Sequence, residues 1–187
     1  MKKFKLNNRT IILASHNTGK IEEFESLFSK YNVNIQTISM LGIEDIDETG
    51  KTFEENAVIK VKTVPDGSIG LSDDSGLSIK SLNHAPGIYS ARYAKKLGGW
   101  SKAMKELYFE AKKKNGFSAT FHCVLALKSE NSEISIFKGE VNGKIVWPPR
   151  GENGFGYDPF FIPWNSKKTF GEMLHKKKIL LDHRFEA

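Results

Sequence analysis

Two aspartates stand side by side in GLSDDSGLSI, residues 70–79, within a run whose Ile69, Leu71, Leu77 and Ile79 ask for burial. A second acidic pair, Asp47-Glu48, leads into Thr49-Gly50 in a separate segment. Carboxylates in this number suit a hard cation. Magnesium takes one or two of them and leaves its other positions to water and substrate phosphate. A carboxylate beside such an ion also orients or deprotonates an attacking water. The competing reading is turn chemistry, since Asp-Ser-Gly and Glu-Thr-Gly are built from turn formers. The spacing predicts a strand over 69–72 that ends at the two acids, with Ser75-Gly76 turning the chain. In open α/β sheets, ligands gather beyond the carboxyl ends of strands.

Three other stretches carry chemistry. Ser15-His16-Asn17-Thr18-Gly19-Lys20 follows an apolar run and opens a helical pattern. Backbone N–H groups at such a start hold phosphate, and a lysine adds a point charge. The stretch has neither the Walker A nor the dinucleotide glycine spacing, and a plain strand–helix turn explains it equally well. Phe155-Gly156-Tyr157-Asp158 offers aromatic faces on which a base can stack, or a hydrophobic plug for a loop. Lys178, His183 and Arg184 supply donors, with Arg184 able to fork onto an acceptor; an isolated His-Arg pair also suits a plain surface.

Elements must hold these pieces. The run at 9–15 (RTIILAS) reads as a buried strand, and 20–31 as an amphipathic helix with Ile21, Phe24, Leu27 and Phe28 on one face. Residues 33–39 alternate as a strand. Thr52 caps a helix, and Glu55 three residues on predicts a capping box. Residues 84–93 read as a loop, 101–114 as a helix burying Met104, Leu107 and Ala111, 118–128 and 133–141 as a hairpin, and 169–184 as one final helix. Strand–helix–strand units followed by a hairpin predict an α/β protein with a mixed sheet.

The 187 residues are enough for one domain with a real core, and 39% hydrophobic content argues against disorder. One domain over 1–187 is expected, with 1–8 as a flexible extension. The single cysteine, Cys123, forms no internal disulfide, which points to a reducing compartment. No apolar run approaches the ~20 residues of a membrane span, and the lysines of the first ten residues precede no apolar signal segment. A soluble, cytoplasmic protein with no membrane partner is expected. A net charge of +6 admits nucleic acid or a small polyanion. A nucleic-acid module gives no reason for clustered acids beside the binding groove, since they repel phosphate.

Order and wording together say more. The stretches ILASHNTGK (12–20), ETGKTFEENA (48–57), LSDDSGL (71–77), APGIYSARYA (85–94), FHCVLAL (121–127), GENGFGYDPFF (151–161) and DHR (182–184) closely resemble the Ham1/RdgB family of inosine/xanthosine triphosphate pyrophosphatases. The resemblance runs from about Arg9 to Arg184. It implies a two-lobed α/β fold, with an elongated mixed sheet flanked by helices and a substrate cleft between lobes. It implies a homodimer, Mg2+ as cofactor, and hydrolysis of ITP, dITP or XTP to the monophosphate and pyrophosphate. A related pyrophosphatase for other modified nucleotides, with the same chemistry and a changed base pocket, is the nearest alternative. Carried over, Ser15, His16, Asn17, Thr18, Gly19 and Lys20 hold the triphosphate. Asp74 is the metal ligand and the acid that handles water, and Asp47 or Glu48 is a further metal ligand. Ser75, Phe155, Gly156, Tyr157, Asp158, Lys178, His183 and Arg184 contact the substrate, most of them around its base. Donors there pair with the 6-keto oxygen that deamination creates and oppose adenine's amino group. The adjacent acids lead us to expect a raised pKa for one of them without metal. One departure stands out: Asp182 occupies the position where the family usually has serine.

Overall fold

The computed structural model describes residue 6 and residues 8–187. The expected N-terminal extension therefore lies outside the described residues apart from Leu6 and Asn8. Among the described residues, six strands form one mixed sheet in the order β2-β1-β3-β4-β5-β6. They are β1 (Arg9–Leu13), β2 (Val33–Thr37), β3 (Ile69–Ile79), β4 (Ser118–Lys128), β5 (Ile134–Ile145) and β6 (Phe161–Pro163). The helices are α1 (Thr18–Phe28), α2 (Phe53–Val61), α3 (Ser90–Lys96), α4 (Trp100–Lys113), α5 (His175–Lys178) and α6 (His183–Glu186). The α/β class and mixed sheet are as expected. The chain divides into two compact units, Met1–Asp74 with Val124–Phe137, and Ser75–Cys123 with Lys138–Ala187.

In the first unit, β1 pairs in parallel with β2 on one side and β3 on the other, with Ile11 opposite Ile35 and Ile69. Alternation along β1 sorts its side chains. Ile11 and Leu13 join Phe24 of α1 with Ile69 and Leu71, while Ile12 and Ala14 join Ile38 and Val64. Helix α1 starts where Asn17 caps it, its side-chain oxygen accepting from the Lys20 N–H at 3.1 Å. Helix α2 starts at Thr52, whose hydroxyl accepts from the Glu55 N–H at 3.1 Å. The expected box is altered: the Glu55 carboxylate accepts from the Lys51 N–H instead. Ala57 and Val61 of α2 are fully buried with Val124 and Ala126.

Strand β3 corrects the sequence reading. It does not end at the acids. Asp73, Asp74, Ser75 and Gly76 continue an unbroken strand to Ile79. Their turn-forming composition is overridden by pairing with β4 and by the buried Leu77 and Ile79.

The second unit is built on Leu77, Ile79, Met104, Leu107, Phe121, Ile145, Phe160, Phe161 and Phe170. Each fully buried large side chain contributes about 2–3 kcal/mol. The 84–93 segment is more ordered than expected: a 3-10 turn at Gly87–Tyr89 leads into α3. The expected single helix over 169–184 is broken. Thr169 and Glu172 form a reciprocal capping box around the 3-10 turn Phe170–Glu172. Leu174 is extended, and Asp182 starts a new helix with its side chain accepting from the Arg184 and Phe185 N–H groups. Local side-chain-to-backbone bonds thus outcompete a continuous helix.

Helix α6 lies against β5 because position 139 has no side chain. A Cβ at Gly139 overlaps the His183 carbonyl oxygen and the Ala187 nitrogen. Gly139→Ala should cost ~1–3 kcal/mol and shift α6. Thermal denaturation should show a midpoint lowered by several degrees. An unchanged midpoint would mean that α6 does not depend on this contact.

Candidate active site

The topology makes a switch point. From β1 the chain goes to β2 on one side, and β3 lies on the other. Beyond the carboxyl end of β1, held by Ala14 N–H to Leu71 O at 2.7 Å, comes the stretch 15–20. Ser15 is buried, and His16, Asn17 and Thr18 are exposed. The Ser15 hydroxyl accepts from the Asn17 N–H at 3.2 Å. Lys20, in the first turn of α1, forms an ion pair with the Asp73 carboxylate and reaches its carbonyl at 3.4 Å.

Successive residues of a strand face opposite ways. Asp73 therefore shares the face of Ile69 and Leu71, toward α1, and meets Lys20. Asp74 shares the face of Ser72, toward α2. Ser72 donates to the Ala57 carbonyl at 2.6 Å. Asp74 accepts from Asn56 Nδ2 at 3.2 Å and from Lys60 Nζ at 2.8 Å. Lys60 also donates to Glu48 Oε1 at 2.5 Å. Asn56 is fixed in turn, its Oδ1 accepting from the Gly50 N–H at 2.8 Å. Of the two carboxylates left open at 47 and 48, Glu48 meets this cluster and Asp47 is exposed.

Asp74 is 3% exposed. Burial pushes its pKa up to about 6, reinforced by Glu48 and opposed by the Lys60 and Lys20 ammoniums. The expected raised carboxyl is present, with a different cause. Desolvation leads, and the repelling carboxylate is Glu48. Burial alone would lower the Lys60 pKa, but Asp74, Glu48 and Asp73 hold it raised. Burial also pushes Glu48 up, yet Lys60 outweighs it and the net shift is downward.

Sequence reasoning missed Asn56 and Lys60. A signal was present. They stand four apart on α2, next to the apolar Ala57 and Val61, so a polar pair shares the buried side of the helix.

The second group of expected residues lies in the second unit. Lys178 is 2% exposed, with its ammonium 3.0 Å from Asp182 Oδ2 and 3.5 Å from Asp158 Oδ2. It also stands 5.6 Å from the ring centroids of Phe155 and Phe170. Asp158 Oδ2 accepts from the Phe155 N–H at 3.0 Å, tightening the loop, and Gly156 takes a positive φ of 63°. Phe155 is half-buried. Tyr157 is buried, with its hydroxyl donating to Ser90 O at 3.4 Å and its ring edge-on to Trp100. His183 stacks on Phe121 with centroids 4.7 Å apart and planes within 9°. The Arg184 guanidinium lies 6.0 Å from the Phe155 ring and donates to Ser75 Oγ at 3.2 Å. The structure thus gathers Ser75, Phe155, Asp158, Lys178 and Arg184, while Tyr157 and His183 pack against core rings.

A parallel switch point beside a buried acid–lysine cluster is the arrangement of a phosphate-handling α/β enzyme. The chain belongs to the Ham1 family, whose sequence profile matches residues 11–187. It is 38% identical to a dITP/XTP pyrophosphatase of Zymomonas mobilis, across 100% of this chain and 91% of that protein. It is 42% identical to one of Agrobacterium fabrum, across 98% and 94%. A HAM1 protein structure from Coxiella burnetii superposes with a TM-score of 0.85 at 37% identity, covering 95% of this chain and 93% of that one. The Staphylococcus aureus Ham1 protein gives 0.82 at 36%, covering 96% and 94%.

The sign of the Asp74 shift sets a pH dependence. A raised carboxyl favours folding below its ordinary range near 4, and that contribution is lost as pH rises through about 6. Ionised Asp74 therefore costs the folded, ligand-free protein on the order of 3 kcal/mol at neutral pH. Carboxyl 13C NMR of the metal-free protein should show Asp74 titrating near 6, with the midpoint falling as Mg2+ is added. A midpoint at ordinary aspartate values would contradict the burial argument.

Proposed function

We propose that the chain hydrolyses non-standard purine nucleoside triphosphates, ITP, dITP and XTP, to the monophosphate and pyrophosphate, with Mg2+, as a homodimer in the cytoplasm. Ham1 membership and relatives named dITP/XTP pyrophosphatase at about 40% identity support the reaction. The observation that carries it is the convergence of two carboxylates, the buried Asp74 and Glu48, on the single Lys60 ammonium, with Asn56 holding Asp74 in place.

The donor set fits magnesium. Among the described residues no three His, Cys, Asp or Glu side chains gather as a cage. Magnesium does not need one: two carboxylates, with water and phosphate filling the rest, suffice. Asp74 and Glu48 converge on a single ammonium, and burial leaves Asp74 short of positive charge. Those two would hold the ion, which supplies charge neutralisation to the phosphates. Ser15 to Lys20 offer N–H groups and the Lys20 ammonium to the polyphosphate. Asp74 takes a proton from the water whose oxygen attacks the α-phosphorus. The bond from that phosphorus to the α–β bridging oxygen breaks, and pyrophosphate leaves.

At the base end, Lys178 and Arg184 supply donors for a 6-keto oxygen, Ser75 a hydroxyl and Phe155 a ring face. Buried donors reject an amino group because the mismatch leaves them unpaired. Gly156, Tyr157, Asp158 and His183 shape this end from behind. Leu174, Leu180, Leu181 and Phe185, exposed along the last segments, favour a dimer surface. Cys123, buried and in no disulfide, suits a reducing compartment. Among the described residues no helix is long and apolar enough to cross a membrane.

Pyrophosphate release from ITP, dITP, XTP, GTP and ATP, with and without Mg2+, tests the reading. Turnover should need the metal and favour the deaminated bases by ~10²-fold or more over ATP. Equal rates for ITP and ATP would remove the specificity. Asp74→Asn should keep its circular dichroism spectrum and lose ~10³-fold in kcat. Retained activity would move the base elsewhere. Light scattering should give twice the chain mass.

A further inference from the structure

Asp182 is engaged through both its oxygens, Oδ1 by hydrogen bonds and Oδ2 by an ion pair. Oδ1 accepts from the backbone N–H of Arg184 at 3.0 Å and of Phe185 at 2.9 Å, which caps α6. Oδ2 lies 3.0 Å from the Lys178 ammonium. The residue is 0% exposed. Burial alone would keep it protonated, but Lys178, His183 and Arg184 hold its pKa below the usual range, so it is ionised at neutral pH. Asp158, Lys178 and Arg184 are equally buried around it, and Phe155 ties the set together through its N–H to Asp158 and its ring beneath Lys178 and Arg184. Two carboxylates stand against two cations, and their formal charge cancels. In so dry a cluster a single unbalanced charge is felt strongly by anything docked beside it.

The two oxygens do separable jobs. The cap needs a neutral acceptor, which asparagine or serine supplies. The ion pair needs the negative charge. As a cap, aspartate is about the equal of asparagine or serine. What it adds is charge cancellation at Lys178 and Arg184.

The bases accepted at such a site differ in charge. Xanthine in a nucleoside sheds a ring N–H proton close to neutrality, because two carbonyls share the resulting charge. Hypoxanthine keeps its proton there. A donor cluster with net positive charge favours the anion; a neutral cluster recognises the keto oxygen without that bias.

We propose that Asp182 is a specificity-determining residue: by cancelling the charge of Lys178 and Arg184, it biases the enzyme toward neutral hypoxanthine nucleotides over anionic xanthine nucleotides. This rests on the reading that places the base at Lys178 and Arg184. Asp182 itself acts through Lys178 rather than by touching substrate.

The test compares kcat/KM for XTP and ITP in the whole protein near neutral pH. Asp182→Asn and Asp182→Ser both keep a cap acceptor and remove the charge. Each should raise the XTP:ITP ratio about tenfold, an effect expected for one charge across several ångströms of protein. A merely structural role would lower both substrates together. In the unaltered enzyme, the same ratio should climb as pH falls through the xanthine titration, whether or not either variant folds. A ratio unmoved in folded variants, or flat with pH in the unaltered enzyme, overturns the proposal. Lys178→Met separates the two levels. If it leaves ITP:ATP discrimination intact, the base-end reading fails. If it abolishes discrimination while Asp182→Asn leaves XTP:ITP unmoved, the role of Asp182 alone fails.

Discussion

The two-residue period of β3 is the constraint on which the rest depends. Two adjacent carboxylates on one surface would repel and collapse into a shared proton. On a strand they diverge, one to each face of the sheet. Each then finds its own helix and its own lysine: Asp73 meets Lys20 of α1, and Asp74 meets Lys60 of α2. One strand thereby ties the turn after β1 to the buried face of α2. A register slip of one residue would exchange the faces and place Asp73 among Asn56, Lys60 and Glu48. The flanking Leu71 and Leu77, 5% and 0% exposed, forbid that slip.

Burial sets the chemistry, and the helix–strand packing sets the burial. Ala57 and Val61 bring α2 down onto the sheet, so Asn56 and Lys60, on the same helix, cannot reach solvent freely. Lys60 offsets only part of the desolvation of Asp74, because its ammonium is shared with Glu48. A fully paired Asp74 would have a low pKa. An unpaired one would stay protonated through neutrality. Sharing one lysine between two acids leaves the carboxyl between these limits.

Much of this fold is legible in the sequence wherever one periodicity acts alone. The strand at 9–13, the amphipathic α1 and α4, the Thr52 cap and the β4–β5 hairpin all follow from apolar spacing and turn chemistry. The misreadings fall where local and tertiary preferences compete. Asp-Ser-Gly has turn composition, yet the neighbouring β4 and the buried Leu77 and Ile79 keep it extended. The stretch 169–184 has helical spacing, yet Thr169 and Asp182 bind backbone N–H groups and divide it. The site divides in the same way. Acids in a turn-like sequence draw attention, whereas Asn56 and Lys60 look like ordinary helix residues until the packing of α2 shows which side is buried. That choice of side depends on contacts with Val124 and Ala126, more than sixty residues away in the chain, and no local window contains it.

Stability and function therefore pull against each other at one residue. The folded chain carries an ionised, largely desolvated Asp74 at neutral pH, a state that burial disfavours. Any cation that settles against Asp74 and Glu48 relieves that penalty. Part of the intrinsic binding energy then appears as added stability of the bound protein. The same relief lowers the carboxyl's affinity for protons, so ligand binding and proton release are linked at this carboxyl. The second unit shows the opposite solution. There Lys178 is held by Asp158 and Asp182, and Asp182 is drawn below the usual carboxylate range. One cluster is left short of positive charge and so can gain from a cation. The other is formally balanced and so suits an uncharged partner.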